Sequence, residues 1–258
     1  MEAAVTLKQR GFDVVVFDKR DEIGGNLHVA KKPPFKGKFE WAIDYYKSMA
    51  KKLNITMKLG KEVTAQEVLA LKPHSILVAT GSNVISIPLE GLDQVQTVQA
   101  HDVLANDMQF ANKKVVVIGG GITGLETALY INRQGTNQVS VVDMLPEWPV
   151  DMLDMRYQNE ALLEVRHCND QGVALFYNNK VVKFADGKLF IESTKDGEVK
   201  ELPADVIVLS VGVKPNDALW QELLASGHPS VWKAGDAIAT GKINKAVLHG
   251  SKFGYSLN

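Results

Sequence analysis

The sequence predicts an α/β protein with a largely parallel sheet, on three observations. First, the β-branched run Lys113-Lys114-Val115-Val116-Val117-Ile118 leads into Gly119-Gly120-Gly121-Ile122-Thr123-Gly124. A stretch with helical spacing of apolar residues follows, Leu125-Glu126-Thr127-Ala128-Leu129-Tyr130-Ile131, and then a second apolar run, Val139-Ser140-Val141-Val142, ending at Asp143. Strand, glycine turn, helix, strand is the βαβ unit of a parallel sheet. Second, the chain repeats this pattern: Leu125-Glu126-Thr127-Ala128-Leu129 aligns with Met1-Glu2-Ala3-Ala4-Val5, Gly135 with Gly11, residues 139–142 with 14–17, and Asp143 with Asp18 once one residue is inserted in the second turn. Third, residues 75–81 and 205–212 are short apolar runs, as strands buried on both faces require.

The other elements follow in order. Residues 40–50 have helical spacing, 55–59 read as a short strand, and 64–71 as a short helix whose Thr64 and Glu67 stand at capping-box spacing. Pro33-Pro34 and residues 88–91 read as loops. Between 173 and 202 the spacing changes to four short strands, 173–177, 180–185, 188–194 and 198–202, with Asp186-Gly187 and Asp196-Gly197 as hairpin signals. Residues 243–257 read as a terminal helix. In the self-alignment, the position before Met1 corresponds to the last glycine of a glycine-rich turn. The first unit is therefore expected to lack its first strand and first phosphate loop.

Composition narrows the function. Lys+Arg number 29 and Asp+Glu 30, a net charge of −1, which removes the electrostatic basis for a nucleic-acid or anionic-membrane partner. No apolar run approaches the roughly 20 residues that span a bilayer. A single cysteine, Cys168, excludes an internal disulfide, a four-thiolate zinc site and a redox-active cysteine pair, and makes a reducing, cytoplasmic setting the expectation. His28, His74, His101, His167, His228 and His249 show no metal-ligand spacing, so no metal site is expected. Cys168 is expected to be an ordinary thiol at a helix end and His249 a packed or solvated histidine. Trp41, Tyr45 and Tyr46 are expected to be core or interface aromatics, and Lys47, Lys51 and Lys52 a solvated helix face.

The motif with the most chemistry is Gly119-x-Gly121-x-x-Gly124, which encloses Ile122 and Thr123. The first glycine permits the tight turn, the second leaves no Cβ between backbone and a pyrophosphate, and the third lets helix and strand pack closely. The helix N-terminus offers unpaired N–H groups and partial positive charge to phosphate oxygens. Asp143, 24 residues after Gly119, is placed to accept adenosine ribose hydroxyls and to repel a 2′-phosphate, which reads as NADH rather than NADPH. Asp18 stands at the same position of the first unit. The Gly24-Gly25 pair is either an ordinary turn or a second place where backbone meets a ligand. Likewise Gly235-Asp236 is a helix cap or a site, and Ala79-Thr80-Gly81 a strand end or a site.

In their order, Asp18-Lys19-Arg20, Gly24-Gly25-Asn26-Leu27, Val78-Ala79-Thr80-Gly81, Gly119 to Gly124, Val211-Gly212-Val213-Lys214-Pro215-Asn216 and Ala234-Gly235-Asp236 resemble the two-dinucleotide-binding-domain flavoproteins, the pyridine nucleotide–disulfide oxidoreductase-like family. The resemblance covers essentially the whole chain. It implies two Rossmann-like domains, each three-layered with a parallel sheet and an antiparallel β crossover, the NAD domain inserted in a split FAD-type domain. The implied boundaries are 1–111 and 205–258 for the FAD-type domain and 112–204 for the NAD(H) domain. It further implies that Asp18 holds the FAD ribose, that Gly24 and Gly25 lie near the flavin, and that Asp236 meets the ribityl–pyrophosphate region. Lys19, Asn26, Leu27, Ala79, Thr80, Gly81, Gly212 and Gly235 belong to the same cofactor-binding set.

Disulfide reductases of that family need two thiols, and this chain has one. Pro33-Pro34-Phe35, Glu40-Trp41-Ala42-Ile43-Asp44-Tyr45-Tyr46, Leu59-Gly60-Lys61-Glu62-Val63-Thr64 and Leu71-Lys72-Pro73-His74 are similar to the C-terminal module of the old-yellow-enzyme-like NADH:flavin oxidoreductases, the 2,4-dienoyl-CoA and 2-enoate reductase and trimethylamine dehydrogenase group. That resemblance implies a partner barrel domain in the same full-length protein, carrying FMN and an iron–sulfur cluster, and a module here that takes hydride from NADH onto FAD. No catalytic acid or base is expected in this chain. A non-catalytic NADH-binding module and an electron-transfer flavoprotein like the small subunit of glutamate synthase are the alternatives. A homo-oligomer is left open.

Overall fold

The computed structural model describes residues 1–146 and 155–258. In chain order the elements are α1 (Glu2–Gln9), β1 (Val15–Asp18), α2 (Leu27–Ala30), α3 (Glu40–Lys52), β2 (Thr56–Leu59), α4 (Ala65–Ala70), β3 (Ile76–Val78), β4 (Ser82–Val84), β5 (Gln96–Gln99), α5 (Ala100–Ala105), β6 (Lys114–Ile118) and α6 (Ile122–Asn132). There follow β7 (Gln138–Val142), α7 (Met155–Asp170), β8 (Ala174–Phe176), β9 (Asn179–Ala185), β10 (Lys188–Ser193), β11 (Val199–Pro203), β12 (Val206–Leu209), β13 (Val213–Pro215), α8 (Ala218–Ala225), β14 (Val231–Lys233) and α9 (Ile243–Ser256). Contacts divide the chain into two units: unit 1 holds residues 1–28, 38–83 and 213–258, and unit 2 holds 29–37 and 84–212.

Unit 2 is built on a parallel sheet of order β5-β12-β6-β7-β8. Alternating side chains serve two cores, because successive residues of a strand point to opposite faces. Val115, Val117, Val139, Val141, Val206 and Val208 pack with α5, α6 and α7 through Val103, Leu125, Leu129 and Val165. Val116, Ile118, Val142, Ile207 and Leu209 pack on the other face with Phe184, Leu189 and Ile191. These last belong to an antiparallel sheet, β11-β10-β9, joined by the left-handed pair Asp186 (φ 51°) and Gly187 (φ 73°). Helices, parallel sheet and antiparallel sheet make the expected three layers. Of the four strands expected between 173 and 202, the first is β8, which joins the parallel sheet on β7. The expected boundaries at 111/112 and 204/205 fall inside unit 2, because β5 and β12 extend the same sheet beyond β6.

Residues 29–37 also belong to unit 2, seated by charge and by a ring. Lys32 Nζ lies 2.5 Å from Asp107 Oδ2. Lys36 Nζ lies 2.9 Å from Glu126, 2.8 Å from Glu160 and 3.7 Å from Glu164, carboxylates carried by α6 and α7. Burial opposes the charge on Lys36, yet hydrogen bonds to Glu160 and Glu126 hold its pKa above the ordinary lysine value. Burial likewise raises the Glu126 carboxyl against the pull of Lys36. Phe35, at φ 68°, sets its ring 5.1 Å from that of His167 and beneath the Arg133 guanidinium, 4.6 Å away.

Unit 1 contains two short parallel pairs, β1-β2 and β14-β3. Helix α1 packs closely on α9, where a Cβ at Gly250 would crowd Glu2 and one at Gly254 would crowd Thr6. Thr64 caps α4 as expected: its Oγ1 accepts the Glu67 N–H and Glu67 Oε2 accepts the Thr64 N–H. On α3, however, Trp41 is 68% and Tyr45 51% exposed. The inward stripe of this helix runs through Ile43 and Ala50 with Tyr46 and Met49, so positions 41 and 45 face outward. Only Tyr46 of the three aromatics turns in, and its hydroxyl donates to Glu2 Oε2 at 2.9 Å.

Candidate functional site

The glycine turn between β6 and α6 has the geometry its sequence calls for. Gly119 sits at φ 108°, where L side chains are strained, and a Cβ there would overlap the Ser210 carbonyl. A Cβ on Gly124 would overlap the Gly119 carbonyl oxygen, so the third glycine is what lets α6 begin against the turn. Gly121 differs. It is exposed, its backbone is extended (φ −67°, ψ 174°), and a Cβ there would meet nothing within 4 Å. It is the N-cap of α6 and no side chain caps the first N–H groups of the helix. Ile122 and exposed Thr123 form the first turn, where the Thr123 carbonyl accepts the Thr127 hydroxyl at 2.6 Å.

Asp143 follows β7 immediately, and both of its carboxylate oxygens are already engaged. Oδ2 accepts the Gly120 N–H at 2.6 Å and Oδ1 accepts the Leu145 N–H at 2.8 Å. The carboxylate thus braces the glycine turn from the neighbouring strand while each oxygen keeps a further lone pair. Gly120 is the residue that sequence reasoning missed. A Cβ there would lie 2.9 Å from the Tyr177 ring and 3.1 Å from Asp143 Cβ. The G-x-G-x-x-G pattern leaves that position open, and only the closeness of β7 and β8 makes it specific.

In unit 1 the expected residues form two groups. The first follows β1: Asp18 Oδ1 accepts the Arg20 N–H at 3.0 Å, and the Arg20 guanidinium donates to the Gly25 carbonyl at 3.1 Å, which ties Asp18 to the paired glycines. Gly24 (φ 125°) and Gly25 (φ 50°) are both left-handed, with space beyond Gly25 and the His28 ring beside Gly24. Lys19 and Asn26 are exposed, and Leu27 closes the turn with its N–H on the Gly24 carbonyl. The second group gathers at the ends of β3 and β14. Ala79 and Thr80 are exposed, Thr80 Oγ1 donates to the Asn216 carbonyl, and the Asn216 N–H returns to the Gly81 carbonyl. Asp236 accepts Ser82 Oγ at 3.4 Å and the Gly241 N–H at 3.1 Å. Gly235 donates its N–H to His249 Nδ1, so His249 is a packed histidine, as expected. Gly212 belongs to unit 2, at φ 98° with its carbonyl accepting the Ile85 N–H. Cys168 is fully buried on α7, and burial pushes its thiol up to about 12.

The fold and these turns define a class, the two-dinucleotide-binding-domain oxidoreductases. The chain belongs to the pyridine nucleotide-disulphide oxidoreductase family, whose model matches residues 1–249. It is 30% identical over its whole length to the NADH oxidase of Thermoanaerobacter brockii, covering 39% of that protein. It is 34% identical over 216 residues to the bilirubin reductase of Mediterraneibacter gnavus, covering 84% of this chain and 32% of that protein. Among solved structures, 2-naphthoyl-CoA reductase superposes on all of this chain with a TM-score of 0.89 at 27% identity, over 38% of its own length. The chain therefore spans about two fifths or less of these relatives. The α/β fold and the family expected from the motifs are borne out.

Proposed function

We propose that this chain is the pyridine-nucleotide and flavin module of a larger NADH-dependent oxidoreductase. In this reading unit 2 binds NADH through residues 119–124, Asp143 and Gly212. Unit 1 binds FAD along Asp18, Lys19, residues 24–27, residues 79–81, Gly235 and Asp236. Electrons then pass to a barrel domain of the same full-length protein that carries FMN and an iron–sulfur cluster and reduces an activated C=C bond or oxidises an amine. The names of the relatives support the reading: one is an NADH oxidase and two are reductases.

The observation that carries it is the open backbone at Gly121 beside the engaged carboxylate of Asp143. NADH supplies the hydride that the flavin accepts. The rest is done by the chain itself. The free N–H groups of α6 hold the diphosphate, and the missing Cβ of Gly121 lets its oxygens reach them. Asp143 is fixed by its two backbone bonds, so its remaining lone pairs point in a set direction for ribose hydroxyls. A 2′-phosphate in the same place would meet its charge, which makes NADH the favoured nucleotide.

Because Gly121 has an ordinary φ and empty space around it, Gly121→Val leaves the fold intact and removes only the approach. Its expected effect is a loss of NADH affinity of about tenfold or more, roughly 1.4 kcal/mol, with an unchanged urea midpoint. Fluorescence titration of NADH measures the first and circular dichroism the second. Unchanged affinity in a folded variant overturns the reading. On the full-length protein, a flavin absorbance spectrum and NADH-dependent dye reduction test the redox half of the proposal.

A further inference from the structure

Unit 2 contains a cleft at the opposite end of α6 from the glycine turn, with a volume of about 310 Å³. Lys32, Pro34, Gln109, Tyr130, Arg133 and Gln134 line it, and all six belong to this unit. Sites for small molecules begin at about 300 Å³. Local spacing explains part of the lining. Arg133 and Gln134 follow Tyr130 by three and four residues, the separation that puts side chains on one side of a helix.

Hydrogen bonds fix the walls. Gln134 Oε1 accepts the Phe110 N–H at 2.8 Å, and its Nε2 donates to the Met108 carbonyl at 2.9 Å, which holds the 107–110 loop against the end of α6. Asp107, left-handed at φ 48°, accepts the Tyr130 hydroxyl on Oδ1 at 3.2 Å and the Lys32 ammonium on Oδ2 at 2.5 Å. The hydrogen bond from Lys32 holds the Asp107 carboxyl below its ordinary pKa, so this acid stays ionised and matches the charge of Lys32.

Arg133 is different. Its guanidinium lies over the Phe35 ring, 4.6 Å from the centroid, and its Nε donates to Gln171 Oε1 at 3.1 Å. These two contacts set the plane of the group. Among the described residues no carboxylate pairs with it, and its two terminal nitrogens have no hydrogen-bond partner. One positive charge at the cleft is therefore unmatched, and it is carried by a fixed fork of donors. A fork of this kind fits the two oxygens of a carboxylate in one plane. Beside it, the flat ring of Tyr130 and the apolar ring of Pro34 suit a flat apolar body.

We propose that this cleft binds a small aromatic carboxylate, with its two oxygens on the terminal nitrogens of Arg133, Lys32 alongside, and its ring against Tyr130 and Pro34. The single negative charge of such an acid balances the single unmatched cation. The site is separate from residues 119–124 and Asp143, and the inference needs neither nucleotide nor flavin.

The test is calorimetric titration of the protein with benzoate, without NADH or flavin. Saturable binding at one site is expected, weakening as salt is raised. Benzamide, of the same shape but uncharged, is expected to bind about tenfold or more weaker, and so is benzoate to Arg133→Gln. Arg133→Lys keeps the charge but loses the fork, and is expected to weaken benzoate about threefold or more. Circular dichroism and the urea midpoint establish that each variant is folded. Lys195→Gln, an exposed cation in the β10–β11 hairpin, and Gly121→Val are both expected to bind benzoate like the parent. Unsaturable binding of benzoate overturns the proposal, as does unchanged affinity in a folded Arg133→Gln or Arg133→Lys variant. Loss of benzoate binding in Gly121→Val assigns the anion to the glycine turn and overturns it too. Inorganic phosphate that displaces benzoate at equal concentration would show a site without preference for an aromatic acid, and would also overturn it.

Discussion

The strands β7 and β1 come from the same stretch of repeated sequence, and they end in different states. Val139, Val141 and Val142 of β7 are 4%, 1% and 1% exposed. Their counterparts Val14, Val16 and Phe17 are all half-buried. The residue types are equally apolar, so propensity does not separate them. Neighbours do: β7 is flanked by β6 and β8, while β1 has β2 alone. Burial in a sheet is a property of the pair on each side.

The largest effect that sharpens this contrast lies in the complete repeat. Gly124→Val places side-chain atoms on the Gly119 carbonyl and is expected to cost about 3 kcal/mol or more, the range of severe overpacking. Urea unfolding of unit 2 measures it, and a cost under about 1 kcal/mol would show that the turn can yield. Next comes the direct comparison. Val141→Ala empties a filled core site and is expected to cost about 2 kcal/mol, and Val16→Ala clearly less, about 1 kcal/mol. Equal costs would break the contrast between the strands.

The smallest effect concerns Cys168, in the well-packed unit. Its folded pKa, about 12, lies above that of an exposed thiol, so the protonated form is kept by the fold. The stabilisation this gives is complete below the ordinary thiol range and is lost as pH rises from there toward 12. Iodoacetamide at pH 8 is therefore expected to leave the folded chain unmodified and to label it once urea unfolds it. Against a Cys168→Ala variant, the urea midpoint of the parent is expected to fall slightly more between pH 8 and pH 10.

Much of this was legible in the residues. Glycines at 119 and 124 announce a turn because backbone geometry and close approach leave no other residue there, whereas Gly121 completes the pattern with open space beside its backbone. The Thr64–Glu67 box is legible because both partners are local. What escaped depends on distant packing. Gly120 is constrained by Asp143 and by the Tyr177 ring, a residue 57 positions away. The outward turn of Trp41 and Tyr45 depends on which stripe of α3 meets α1, and an aromatic residue on a helix carries no mark of which side it faces. The joining of β5 and β12 to β6 is likewise a choice among sheet edges that a strand pattern does not encode.

One cluster described above limits how residue 36 can change over time. The ammonium of Lys36 lies among Glu126, Glu160 and Glu164, and a neutral residue in its place would leave those partly buried carboxylates facing one another without it. Drift at this position must therefore be accompanied by drift on the two helices. Among descendants of this chain, loss of the lysine is expected to travel with loss of an acid at 126, 160 or 164, so that these four sites vary as a set.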